Sequence, residues 1–156
     1  MKKITLFLAC LLVSISSFGQ IKKVETVNKE LIGKVSNLGW FLVSIHKSEN
    51  TYYVTYQDAK YNDIKDHKFF SFEDIDHAFD TLYHTILEGF KTPQEEPVIL
   101  EIPSGYVWLD YSKELGVVLF RFGYSITKNG EMIWYSNWLT KRKVNKVFGK
   151  KQNNIN

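Results

Sequence analysis

The chain has 156 residues, of which 24% are charged and 15% aromatic, with a formal charge of +3 and one cysteine. One domain fits that length, and a disulfide-stapled scaffold is excluded. So is long disorder, since the chain has three prolines and no low-complexity stretch. Aromatic content this high calls for a thick core or a binding surface.

The chain opens MKKITLFLACLLVSISSFGQ. Lys2 and Lys3 precede an apolar run from Ile4 to Ile15, and small residues Ser17 and Gly19 follow. Charge, length and order are those of a bacterial secretory signal, cleaved before Gln20. The run is shorter than the ~20 residues a membrane-spanning helix needs. Cys10 lies inside it, close behind Lys3, and is read as part of the leader rather than as a lipid attachment site. The expected organisation is a signal peptide over 1–19, one domain over 20–150 and a disordered tail over 151–156. The expected location is outside the cytoplasm, periplasmic or secreted, with no transmembrane segment after signal removal. The mature chain then carries no cysteine, which excludes thiol catalysis and cysteine zinc sites.

Val24, Val27, Leu31, Ile32, Val35 and Leu38 fall near helical spacing, so a short helix is predicted over 24–38, ended by Gly39. GWFLVSIHK and NTYYVTYQ alternate and form a hairpin around SEN. A third strand is predicted around 64–71. FEDIDHAFDTLYHTILEGF then places Ile75, Phe79, Leu82, Ile86 and Phe90 on one stripe, the clearest helix in the chain, over 72–89. Ser71 and Asp74 read as its capping box and Gly89 as its exit. KTPQEEP is a linker. VILEI, GYVWLDY, GVVLFRFGYSI and EMIWYSNW read as four strands, with Asn129-Gly130 in the last turn. Thr140 caps a short C-terminal helix bearing Val144, Val147 and Phe148. The predicted class is α+β: a mostly antiparallel sheet of about six to seven strands packed on one long helix (72–89), with shorter N- and C-terminal helices.

Three groups of residues are candidate sites. On the outer face of the long helix, Glu73, His77, Asp80 and His84 share a stripe, and His77, Asp80 and His84 are a partial zinc-ligand set. A solvated helix face accounts for the same residues, because HExxH and a further strong ligand are missing. Lys141, Arg142, Lys143 and Lys146 form a basic cluster suited to an anionic partner, or simply a wet surface. Tyr106, Trp108, Asp110, Trp134 and Trp138 are the candidate ligand-binding set on an aromatic sheet face, where rings beside an acid suit an apolar molecule or a sugar. A second packed layer would use the same rings structurally.

Catalytic signatures are lacking: there is no GxSxG, no phosphate loop and no HExxH. No cofactor is expected, and no base-reading motif suggests nucleic acid. The expectation is a small exported domain that binds a protein or small molecule, with a homo-oligomer possible. The alternatives are a metal-dependent or acid–base hydrolase on the His/Asp helix face and a structural subunit of a cell-envelope complex.

Overall fold

A computed structural model describes residues 28–61 and 66–150. The predicted signal peptide, the first part of the predicted N-terminal helix and the predicted tail lie outside these residues. The class is α+β. Two antiparallel sheets of four strands each replace the single six-to-seven-stranded sheet expected from the sequence. The first sheet is a meander of β1 (Glu30–Asn37), β2 (Trp40–Ser48), β3 (Thr51–Gln57) and β4 (His67–Glu73). The second repeats the plan with β5 (Val98–Ile102), β6 (Gly105–Glu114), β7 (Val117–Ser125) and the short β8 (Trp134–Tyr135). Each sheet is followed by a helix, α1 (Ala78–Lys91) and α2 (Lys141–Val147).

The predicted helix over 24–38 is overturned where it is described, because 30–37 is β1 and pairs with β2. The register shifts twice along that pair, between Leu31 and Gly33 and between Val35 and Ser36. The first shift adds Ile32 to β1 and the second adds Leu42 to β2, so the extra residue in β1 sets Ile32 and Val35, the apolar residues turned from solvent, three apart.

The long helix also starts later than predicted. Ser71 lies inside β4, since Phe70 and Phe72 continue the inward alternation through it. Asp74 caps instead, its Oδ1 accepting from the Phe79 N–H at 3.0 Å. Between them is a 3-10 turn, Ile75–His77, in which Asp76 (φ 51°) and His77 (φ 60°) both adopt left-handed backbone. Gly89 is inside α1 rather than beyond it. A Cβ there would lie 2.1 Å from the ring of Tyr111, so the glycine leaves room for that ring against the helix. From this position Tyr111 donates its hydroxyl to the Ile86 carbonyl at 3.1 Å.

Each helix leaves one sheet and packs against the other. The backbone of α1 runs beside β6 and β7, and α2 lies on β1 and β2. Thr140 caps α2, its hydroxyl accepting from the Lys143 N–H. The two helices also meet, with the Phe148 ring 5.1 Å from Phe79 and 5.2 Å from Tyr83. Between the layers lies one core that includes Val43, Ile45, Val54, Phe70, Leu109 and Phe122. At one corner the sheets join directly, through an antiparallel bridge between Asp58 and Ser136 and a hydrogen bond from the Tyr56 hydroxyl to the Trp134 carbonyl (2.8 Å). Fully burying an aliphatic or aromatic side chain stabilises by roughly 1.5–3 kcal/mol, and this core is built from both halves, so neither half is expected to fold alone.

The Tyr56 hydroxyl is held well above the ordinary phenol pKa, first by burial and then by the negative charge of Asp58. Burial raises Tyr111 in the same direction. In both, the protonated form is favoured on folding. The stabilisation is complete below the unfolded value of about 10 and is lost as pH rises above it. Stability should therefore fall above about pH 10, with Tyr56 alone contributing roughly 1.4 kcal/mol per pH unit. Urea midpoints measured between pH 9 and 11.5 test this. Tyr56→Phe should give a shallower alkaline slope, and an unchanged slope would remove Tyr56 as its source.

Candidate functional site

The acidic face of the long helix is divided by the 3-10 turn. Glu73 ends β4, His77 precedes α1 with left-handed backbone, and only Asp80 and His84 lie on the α-helix itself. Among the described residues no group of three His, Cys, Asp or Glu side chains is placed to hold a metal ion. Asp80 instead accepts from the Lys150 ammonium at 2.9 Å. That hydrogen bond and charge hold its carboxyl below the usual carboxylate range. The acidic helix and the basic C-terminal segment therefore answer each other across the fold. Of the predicted basic cluster, Lys141, Arg142 and Lys146 are exposed and Lys143 is half-buried.

The aromatic set is split between two surroundings. Asp110 on β6 stands opposite Arg121 on β7, and both Nε and Nη2 of Arg121 reach Asp110 Oδ2 at 2.7 Å. The guanidinium lies 3.8 Å from the Tyr135 ring centre and 4.3 Å from that of Trp138. Burial, then the Asp110 charge, raises the Tyr135 hydroxyl pKa against the opposing pull of Arg121. Trp108 is overlain by the segment after β7. A Cβ on Gly130 would come within 2.9 Å of the Trp108 indole. The indole Nε1 is buried there with no hydrogen-bond partner among the described residues. Tyr106 is half-buried on the same strand. Trp134 belongs elsewhere: its ring stacks on Tyr124 at 6.2 Å and lies under the Lys68 ammonium. Arg121 joins Asp110 to Trp138, while Trp134 does not meet them. The chain's own 126–138 segment occupies much of this face.

A cavity with a different character lies between α1 and the two sheets. Its volume is about 410 Å³. Phe70 and Phe72 of β4 form one wall, Ala78 and Leu82 of α1 the second, and Leu100 and Ile102 of β5 the third, with Val107 of β6 also reaching it. Glu73 and Glu101, both exposed, supply carboxylates to its lining, and Thr81 and Thr85 supply hydroxyls. Neither carboxylate forms an ion pair with another described residue. Ile75, which also lines the cavity, is 61% exposed and sits just before the two left-handed residues. Left-handed backbone costs about 1–2 kcal/mol per L-residue. Here it lets the chain turn from β4 into α1 while keeping Ile75 beside the cavity.

A second cavity, of about 400 Å³, is bordered by Asp58, Lys60 and Arg121, and Arg121 there is already paired with Asp110. The apolar walls of the first make it the stronger ligand site. Such pockets, mostly apolar with a few fixed polar groups, are the usual form of small-ligand sites. Sequence motifs do not reveal it, since its walls come from four elements spread between Phe70 and Val107. The available signal was limited to apolar residues on β4, α1 and β5 in excess of what one sheet face needs.

No family model, no curated protein and no solved structure matches this chain.

Proposed function

We propose that this protein is an exported binding domain and that its principal site is the apolar cavity between α1, β4 and β5. One observation carries the reading: a space of about 410 Å³ walled by Phe70, Phe72, Leu82, Leu100 and Ile102, with two exposed carboxylates and two threonines also lining it. Apolar walls supply affinity in proportion to the area taken from water, and the polar groups set orientation. The N-terminal pattern MKK, apolar run, Ser-Phe-Gly supports export.

The test uses N-phenyl-1-naphthylamine, a neutral apolar dye that brightens when it leaves water. The purified protein should bind it saturably. Thr81 lines the cavity from an exposed position on α1, so Thr81→Trp fills the space without disturbing the core. That variant should keep the wild-type circular dichroism and lose at least tenfold in dye affinity. Absence of dye binding, or equal binding by wild type and Thr81→Trp, would overturn the assignment.

A further inference from the structure

The cavity is bounded on two sides by strands that lack a neighbour. β4 is the last strand of the first sheet and β5 the first strand of the second, and among the described residues neither pairs on its outer side. Consecutive residues of β5 line the cavity. Successive side chains of a strand point to opposite faces. Leu100, Glu101 and Ile102 of β5 nevertheless border the cavity in unbroken succession, as do Phe72 and Glu73 at the end of β4. A cavity in contact with both faces of a strand lies along its edge.

Building on the binding reading above, we propose that the occupant is an extended segment of a partner protein. It pairs with the free edge of β5 or β4, places apolar side chains at alternate positions into the cavity, and carries a lysine or arginine to Glu73 and Glu101. An open strand edge is a row of backbone donors and acceptors, and an added strand satisfies them while its side chains supply specificity. A small apolar molecule fills the cavity but leaves that edge unpaired.

The charges select the partner. Glu73 and Glu101 belong to a stretch, 61–101, that holds ten acids against Lys65, Lys68 and Lys91. A second copy of this chain docked through the same edge would bring a second pair of these carboxylates to the same place, and like charges brought together oppose association. A basic segment meets the opposite field, which speeds its encounter and fixes its register. The contact is accordingly expected to weaken as salt is raised.

The experiment is selection from a displayed library of random twelve-residue peptides on the full protein at low salt, with Thr81→Trp as the counter-selection. The expected result is enrichment of peptides with apolar residues two apart and at least one flanking lysine or arginine. Synthetic copies should bind by calorimetry, and should lose roughly tenfold or more when alternate backbone nitrogens are methylated, since each methyl removes a pairing N–H. The double charge reversal Glu73→Lys, Glu101→Lys should lower their affinity to a similar extent and flatten or reverse its dependence on salt. If no peptide is enriched over the counter-selection, or if backbone methylation has no effect, the strand proposal is overturned. Dye binding that persists in that case leaves the cavity standing as a small-molecule site, and loss of both removes the cavity as a site altogether.

Discussion

Gly33→Val is expected to be the most damaging single substitution outside the core side chains. Gly33 sits in the middle of β1, where its backbone is ordinary and any residue would fit the strand. The constraint comes from across the layer. A Cβ at Gly33 would lie 2.4 Å from the Lys146 carbonyl oxygen and 2.5 Å from that of Val147. These are backbone atoms at the end of α2, and they cannot swing aside as a side-chain tip can. To admit the branched side chain, α2 must lift off β1, which would expose Val144, Val147 and Phe148, all buried against the sheet and α1. Overpacking of this kind costs about 1–3 kcal/mol, and more where backbone must move. A loss of about 3 kcal/mol is a large share of the ~5–15 kcal/mol that holds a typical domain folded, and corresponds to a melting temperature lower by on the order of 10 °C. Because Phe148 touches Phe79 and Tyr83, the loosening should also reach α1 and lower affinity at the cavity. Thermal melts of Gly33→Ala and Gly33→Val should show a graded loss. A Gly33→Val protein melting within two or three degrees of wild type would mean that α2 does not seat on β1 as described.

How far the sequence anticipated this structure depended on whether a local pattern sufficed. The β2–β3 hairpin was readable because its alternation is unbroken and Glu49-Asn50 makes the turn. The C-terminal helix was readable because Thr140 and the apolar positions Val144, Val147 and Phe148 agree. β1 was misread because the bulge at Ile32 imitates helical spacing. Ser71 was misread because Ser-x-x-Asp does not distinguish a cap from the end of a strand. The division into two sheets lay beyond local pattern, since strand count does not state strand order. It is decided by α1, which crosses from the end of the first sheet to lie on β6 and β7 before β5 begins. The Asp110–Arg121 pair was within reach. Leu115 and Gly116 form a two-residue turn with positive φ at both positions, and the register counted back from Glu114 opposite Val117 sets Asp110 opposite Arg121. Ending the predicted strand GYVWLDY at Tyr111 concealed that register. Tyr135 and Trp138 then reach Arg121 only because the 126–138 segment folds back over β7, which no spacing in the sequence states. For the cavity, the separate walls were legible as apolar stripes, but their meeting depends on the sheet order that the sequence withheld.

Phe70→Ala should cost about 3–5 kcal/mol, while Phe69→Ala, one residue away, should stay within about 0.5 kcal/mol of wild type. The two rings are identical and adjacent, and the difference comes entirely from register. β4 pairs with β3 so that Phe70 stands opposite Val54 and Phe69 opposite Thr55. Phe70 is 1% exposed and Phe69 is 62% exposed. The buried ring is where the first sheet meets the second: its centre lies 5.7 Å from that of Phe122 and 6.2 Å from that of Tyr124, both on β7. Truncation removes those contacts and leaves a void that rigid strands on both sides cannot fully close. Phe70 is also a wall of the cavity, so the void opens onto it. The enlarged space should change dye affinity in Phe70→Ala even under conditions where the variant is fully folded, whereas Phe69→Ala should leave dye affinity as it was. Urea unfolding with parallel dye titration of the two variants separates these effects. Equal destabilisation by both substitutions would shift β4 by one residue against β3, and that shift would carry Phe72 and Glu73 to the opposite faces as well. The cavity, and the partner assigned to it, would then lose their β4 wall.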